Sequence, residues 1–583
     1  MKKITFRKQQ DSGARETSRN SMDRRDLLKG AAATAAGVVA SAAIPFRASA
    51  APTDGATPKL EYCNTLIVGS NENAVVETTA GKVRGFARNG IQTFLGIPYA
   101  GSTEGKGRYQ PPAKVTPWTG LRSSMQYGFV SPQEARAGWA DDEVAWMFDW
   151  DDGRPGEDCL RVNIWSPGND NKKRPVMVWL HGGGFSAGSG QELKSYYGEN
   201  LSRRGDVVVV SLNHRLGVLG YLNLAQIGGE KYADSANLGM LDIVAALKWV
   251  RDNIANFGGD PGNVMIFGQS GGGGKVNTLM AMPAAKGLFH RAAVESGSLL
   301  NASSADDAGK LGAAVLQQLG ISASEIDKIQ DVPVDKLIGA GIAGVRSLAT
   351  PFQPGGAFRL PRIGWQPTVD GKNLPTQPYD PVAPAMSAQI PLLVGTVLNE
   401  FSTALYDTKL STLTNDELKQ RVAAQYKDKA DHIIEAFRAA HPSDTPGVLM
   451  SRISAAPVRQ SAITQATRQA ALGGAPVYTY WFCWKTPVLD GRPGAFHCSE
   501  LSFVFDNTDR CAPMTGGGPG PRALAAKVSE AWINFARRGD PNHPGLPKWP
   551  AFTANEKAVM IFDNKCEAKN DPDHDERQAL GLA

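Results

Sequence analysis

The chain has 583 residues, 42% hydrophobic and 20% charged, which supplies a large core and excludes a disordered, collagen-like or small disulfide-stapled protein. Its formal charge is +5, but residues 1–50 carry ten Lys/Arg against four Asp/Glu, a net +6, leaving the remainder at −1. A near-neutral body has no electrostatic footprint for nucleic acid, so that class of partner is excluded.

The basic N-terminus has three parts. A polar stretch ends in Asp23-Arg24-Arg25-Asp26-Leu27-Leu28-Lys29, an uncharged Ala/Gly-rich run extends from Gly30 to Pro45, and the small-residue pattern Ala48-Ser49-Ala50 follows. This is the layout of an export signal, and the run is shorter than the ~20 residues a bilayer-spanning anchor needs. The arginine pair is similar to a twin-arginine signal, with Asp23 and Leu27 where Ser/Thr and Phe are usual; such a signal is an address read by a receptor. The expectation is therefore a signal peptide over residues 1–50, recognised by the twin-arginine export machinery and cut near Ala50, with a periplasmic or extracellular mature chain that keeps no membrane anchor. Cys63, Cys159, Cys483, Cys498, Cys511 and Cys566 all lie in the exported part, where bridges are permitted. Their spacing holds no C-x-x-C and no Cys/His zinc pattern, so no metal is expected.

After residue 50 neither a repeat nor a long low-complexity linker divides the chain, and residues 51–583 read as one large α/β domain. Unalternating apolar runs at Pro175–Leu180, Val207–Leu212, Val264–Phe267, Ala292–Glu295 and Ile390–Val394 predict strands buried on both faces, the habit of a parallel sheet. The 3.6-residue pattern over Leu238–Asn256, with Leu241, Val244, Ala245, Leu247 and Val250 on one side, predicts a helix. Strands alternating with helices argue for a sheet covered on both sides. Segments 301–389 and 411–440 read as cap or insertion, the first carrying amphipathic stretches at Ala308–Leu319 and Val334–Gly344.

G-x-S-x-G places a serine on a tight strand-to-helix turn, and the sequence contains it twice, at Gly184–Gly188 and Gly268–Gly272. Ser270 has the strand Val264–Phe267 before it and the helix-competent stretch Lys275–Met282 after it. Ser186 stands apart from its strand and is followed by glycines. Ser270 is therefore the candidate nucleophile. The first copy serves differently: the strand Pro175–Leu180 ends in His181-Gly182-Gly183-Gly184, a loop able to aim backbone N–H groups at a developing oxyanion. Gly183, Gly184 and Gly271 are the candidate donors. Lys275 also raises a phosphate-binding P-loop, but that motif needs glycine where Gln269 stands and Ser/Thr where Val276 stands, so the reading fails.

A serine hydroxyl needs a histidine to take its proton and a carboxylate to orient that histidine. Of the six histidines after Ser270, His290, His432, His441, His543 and His574 sit beside strands, in insertions, among prolines or in an acidic tail. His497 is carried on a loop after the apolar strand Val477–Trp484. Glu400, just beyond the strand Ile390–Val394, is a candidate acid, because α/β sheets build sites at strand C-termini; Glu500 and Asp370 are rivals.

These residues resemble the type-B carboxylesterase family over nearly the whole exported chain. The resemblance is carried by Gly81-Lys82-Val83-Arg84-Gly85, Gly96-Ile97-Pro98-Tyr99-Ala100, Glu157-Asp158-Cys159-Leu160, Phe257-Gly258-Gly259-Asp260-Pro261 and Phe535-Ala536-Arg537-Arg538-Gly539-Asp540. It implies an α/β-hydrolase fold and a serine esterase with Ser270, Glu400 and His497 as triad, Gly183, Gly184 and Gly271 as oxyanion hole, and Ser296 behind the acid; no cofactor or metal takes part. Departures from the family pattern bear on substrate. Gln269 replaces the usual glutamate before the serine, removing a charge that favours cationic substrates such as choline esters, and Gly271 replaces the usual alanine. Ser131 stands where many relatives carry the cysteine that pairs with the Glu157-Asp158-Cys159 cysteine. Cys159 is then expected free or paired with Cys63, and a Cys498–Cys511 bridge would stiffen the histidine loop. Trp139, Trp146 and Trp150 are candidates for the entrance to the site. The implied reaction is cleavage of a small-molecule carboxylic ester through an acyl-enzyme. An amidase or carbamate hydrolase would use the same triad, and a binding or adhesion module of this fold would lack it.

Overall fold

Runs of Val, Ile, Leu and Met without polar alternation leave no face for water, and each of the expected runs contains a fully covered strand in the computed structural model, which describes residues 66–134, 142–348 and 363–582; in the last run the strand begins only at Leu392, with Ile390 and Pro391 half-buried ahead of it. The described residues belong to one compact unit, Cys63–Ala583. The expected signal peptide, its cleavage point, Cys63 and Trp139 lie outside the described residues.

Among the described residues, twelve strands form the main sheet. In chain order they are β1 (Ile67–Val68), β2 (Phe86–Arg88), β3 (Ile91–Pro98), β4 (Arg161–Ser166), β5 (Arg174–Leu180), β6 (Val208–Leu212), β7 (Gly259–Gln269), β8 (Arg291–Glu295), β9 (Leu392–Val397), β10 (Val477–Phe482), β11 (Ala558–Phe562) and β12 (Glu567–Asn570). Their spatial order is β1-β2-β3-β4-β6-β5-β7-β8-β9-β10-β11-β12. The inner run from β6 to β11 is parallel, whereas β1 to β4 at one edge and β12 at the other pair antiparallel. The edge strands escape the apolar-run pattern because they are short or mix polar residues into the run.

Helices cover both faces, over two apolar clusters centred on Val178, Val210 and Ile266 on one side and Trp179, Phe267 and Trp532 on the other. Helix α1 (Leu238–Asn253) buries Met240, Ile243, Leu247 and Val250. Within 301–389, α2 (Ala305–Leu319) and α3 (Val334–Leu348) pack on each other and on Val218 and Leu219. Ser304 caps α2 by accepting the Asp307 N–H, satisfying one of the free donors of its first turn. Within 411–440 lie α4 (Asn415–Tyr426) and α5 (Ala430–Ala440), which share a separate apolar cluster with Leu449 and Ile453 of α6 (Pro446–Ala470). No helix among the described residues is long and apolar enough to cross a membrane.

Register fixes where the chemistry sits. Leu180 pairs with Gly268, Gln269 with Glu295, Glu295 with Gly395 and Gly395 with Tyr480. The segments leaving β5, β7, β8, β9 and β10 therefore emerge together at the C-terminal edge of the sheet, where doubly covered sheets leave room for a site.

Candidate active site

Strand β7 ends at Gln269, and the helix Gly271–Ala281 begins at once. Ser270 between them has φ 59° and ψ −125°, a conformation costly for a side chain with a Cβ that lifts its hydroxyl out of the sheet. Small neighbours make this turn possible: a Cβ on Gly271 would lie 2.1 Å from the Gly184 carbonyl oxygen. The glycine that departs from the family pattern thus lets the Gly184 backbone close against the serine turn. Ser186, the rival serine, is exposed on the loop after β5.

Glu400 and His497 meet by backbone zipping of two loops. Asn399 N–H bonds the Ala495 carbonyl (3.0 Å) and His497 N–H bonds the Glu400 carbonyl (3.0 Å), while the Asn399 side chain accepts from Ala495 N–H at 2.9 Å. This brings His497 Nδ1 within 2.5 Å of Glu400 Oε2, with both side chains 3% exposed. Glu400 Oε1 accepts from Val397 N–H. Ser296 Oγ accepts from that same N–H at 3.3 Å, so it supports the acid through a shared backbone donor; among the described residues no hydrogen bond joins it to the carboxylate.

The far nitrogen of the imidazole is occupied. Gln269 Nε2 lies 3.0 Å from His497 Nε2, and the Cys498 thiol donates to Gln269 Oε1 at 3.2 Å. Burial above all, followed by the neighbouring Glu500, Glu400 and Glu192, pushes that thiol well above its ordinary range, so it stays protonated and able to donate. The three contacts are mutually consistent: Cys498 donates to Gln269, Gln269 to His497 Nε2, and His497 Nδ1–H to Glu400. Ser270 is half-buried and opens onto the adjacent cavity; among the described residues nothing hydrogen-bonds its hydroxyl.

The loop His181–Gly184 lies across the turn, with Gly183 at φ 77° and Gly184 at φ 61°. Among the described residues, none accepts a hydrogen bond from the N–H of Gly183, Gly184 or Gly271, and Gly184 and Gly271 line the cavity that Ser270 opens onto. Beneath them is a group that sequence patterns do not reveal. Lys275 is wholly buried, and its Nζ donates to the carbonyl oxygens of His181 (2.8 Å) and Gly182 (3.4 Å). A helical lysine ordinarily reads as a solvated residue; the only hint is its place among Gly271–Gly274 and Val276.

The cavity beside Ser270 has a volume of about 710 Å³ and is lined by the apolar Phe185, Leu299 and Leu300 and the polar Ser298, Gln460 and Thr464. Trp146 and Trp150 do not reach it: Trp146 projects into solvent and Trp150 packs on the core. The Cys498–Cys511 bridge is not formed, because Cys498 turns to Gln269 instead. Both cysteines are free thiols, as is buried Cys159. Neither rival acid serves His497. Asp370 closes a turn by accepting from the backbone of Lys372, Asn373 and Leu374. Glu500 is fully buried, with its carboxyl pushed well above the usual range by burial and then by Glu295 and Glu400. His290, His441, His543 and His574 bond elsewhere.

Residues 72–579 match the Carboxylesterase family. The para-nitrobenzyl esterase of Bacillus subtilis (strain 168) is 35% identical over 519 residues, which is 87% of this chain and 98% of that protein. Phenmedipham hydrolase of Pseudarthrobacter oxydans is 33% identical over 86% of this chain and 98% of its own. Among solved structures, carboxylesterase EST55 of Geobacillus stearothermophilus superposes with a TM-score of 0.71 at 36% identity, over 87% of this chain and 99% of that one. An esterase from Clostridium hathewayi, described as able to hydrolyse aliphatic aromatic polyesters, gives 0.75 at 36% identity over 89% and 99%. With a parallel-centred sheet, a serine turn at its C-terminal edge and matches of this extent, the chain has the α/β-hydrolase fold and belongs to the carboxylesterase family.

Proposed function

We propose that the protein cleaves carboxylic esters through an acyl-enzyme on Ser270, with His497 as general base and acid, Glu400 as its orienting carboxylate, and the N–H groups of Gly183, Gly184 and Gly271 as the oxyanion hole. The observation that carries this reading is the buried 2.5 Å contact of Glu400 with His497 Nδ1, beside a serine held on a strained turn. Glu400 keeps the proton on Nδ1, which leaves Nε2 basic. As substrate enters, the Gln269 amide gives up Nε2 and the Ser270 hydroxyl takes its place; such contacts commonly tighten only with substrate bound. Nε2 then takes the hydroxyl proton while Oγ bonds to the carbonyl carbon, and the three N–H groups hold the oxyanion. Collapse breaks the bond to the alcohol oxygen, which leaves with the proton from Nε2. Water then attacks the acyl carbon, giving its proton to Nε2, and the carboxylic acid departs as Ser270 is re-protonated.

A cavity of about 710 Å³ suits an acyl or alcohol group of drug-like size, and the relatives named for para-nitrobenzyl esters and for aliphatic aromatic polyesters make esters that carry an aromatic ring the first substrates to try. p-Nitrophenyl acetate, butyrate and octanoate are expected to be hydrolysed by the wild type and not by folded Ser270→Ala. Matched anilides are expected to react far more slowly; anilide turnover at the ester rate would favour an amidase. Export is part of the same reading: the Arg24-Arg25 segment and the Ala48-Ser49-Ala50 pattern support twin-arginine delivery and a mature chain starting at Ala51. Intact-mass measurement of the exported protein checks this, and accumulation of mature protein from an Arg24→Lys, Arg25→Lys precursor would contradict it.

A further inference from the structure

Lys275 is a fully buried side chain beneath the oxyanion loop, and ester hydrolysis by Ser270, His497 and Glu400 leaves it without a role. It sits on the helix that starts at Ser270, so its backbone position is tied to the nucleophile. Its ammonium reaches the carbonyl oxygens of His181 and Gly182, the two peptides that lead into the donor loop. The His181 ring adds a second contact, its Nδ1 lying 3.0 Å from the Gly182 oxygen. The Gly182 carbonyl and the Gly183 N–H belong to one planar peptide unit. A donor fixed on the oxygen side therefore both sets the direction of that N–H and, being cationic, draws electron density from it. Three successive glycines give this loop great conformational freedom, and the serine helix opens with four more. An internal tether between the two is what such a pair lacks by sequence alone.

We infer that Lys275 is a positioning residue for ester hydrolysis: its ammonium clamps the His181 and Gly182 carbonyls to the serine helix and thereby aims and strengthens the Gly183 N–H as an oxyanion donor. The surroundings suit this use. The Phe185 ring lies 5.7 Å from Nζ and excludes water. Burial holds the lysine down to about 7, an effect opposed by Glu192; below that pH it clamps as the ammonium, and above it the neutral amine keeps its N–H donors for the same carbonyls. Glu192 is itself pushed up to about 8 by burial, against hydrogen bonds from Ser189 and Tyr196. His181 and His214, stacked at 5.0 Å, are held neutral by burial and then by Lys275, so the cation has no buried histidinium to compete with. The inference rests on the assignment of Gly183 to the oxyanion hole.

The test compares wild type, Lys275→Met and Lys275→Gln in the full mature chain, reading kcat and KM on p-nitrophenyl butyrate and the affinity of a trifluoromethyl ketone, whose hydrate-like adduct with Ser270 carries an oxyanion. Loss of one oxyanion donor typically costs about 10²–10³ in kcat; Lys275→Met, which weakens a donor without removing it, is expected to lose about tenfold to a hundredfold. KM should stay nearly constant and the ketone should weaken by the same factor as kcat. Lys275→Gln, which keeps an N–H for the His181 carbonyl, should recover part of both. If Lys275→Met does not fold, Lys275→Gln carries the test with the same paired readouts. Folded variants that keep kcat and ketone affinity, or that change KM alone, would overturn the inference. A wild type inactive on esters and unreactive to the ketone would instead overturn the functional reading itself.

Discussion

At residue 269 a neutral amide stands where a carboxylate would place a second negative charge against His497. Opposite charge at such range raises an imidazole pKa by about one unit or more. Gln269→Glu is therefore expected to move the acid limb of kcat/KM to higher pH by about one unit, because the reactive imidazole must be neutral; an unmoved limb would mean that residue 269 does not face His497 during turnover. The two acids near the histidine make a paired prediction. Glu400→Gln should lower kcat by about 10³–10⁴, as loss of the orienting carboxylate does in such triads. Glu500→Gln should change it little, since neither of its carboxyl oxygens bonds His497 and burial pushes that carboxyl well above the usual range. Equal losses would misassign the acid. Residue types and spacing singled out Ser270 and the glycine loop and made His497 a candidate, because strand-turn-helix order and the position of loops after strands are local features; the resemblance alone chose Glu400 over its rivals. Lys275 and the Cys498–Gln269 contact were not readable in this way. Burial of a lysine and the direction of a thiol are decided by packing between segments separated by 94 and 229 positions.

The serine turn and the oxyanion loop work as a single unit because glycine at 271 lets their backbones touch. In Gly271→Ala the new Cβ would stand 2.1 Å from the Gly184 oxygen, so the loop must retreat. We expect kcat to fall about tenfold, in line with a misplaced donor, with KM nearly unchanged; undiminished kcat would show that the loop yields without losing its aim. The buried parallel strands were legible from their apolar runs, and α2 and α3 from their periodicity. The antiparallel edge strands were not, having no unbroken apolar run to announce them. Helix α6 was hidden for a different reason. It runs 25 residues with Pro457 inside it, and an interior proline normally argues for a helix end. Here tertiary packing of Leu449, Ile453, Ala462 and Ala466 outweighs that local cost.

Across the whole molecule, the sheet edge gathers carboxyl groups that burial keeps protonated. Glu295 is pushed up to about 8 even though Trp532 Nε1–H bonds it at 2.7 Å, and Glu192 and Glu500 shift the same way. In the unfolded chain such a carboxyl ionises near pH ~4.3. Between that value and about 8 the unfolded state has lost a proton that the folded state keeps, so stability falls as pH rises through this window. Glu295→Gln removes one such proton. Its Tm should gain on the wild type at pH 8 by a few degrees and much less at pH 5; parallel Tm–pH curves would show that Glu295 does not titrate with folding. That Ser270 carries the acyl group is tested most directly by peptide mapping by mass spectrometry after reaction with a fluorophosphonate or rapid quenching with an activated ester. The adduct is expected on the peptide containing Ser270 and not in Ser270→Ala. An adduct on Ser186, or an active wild type that forms no adduct at Ser270, would contradict it.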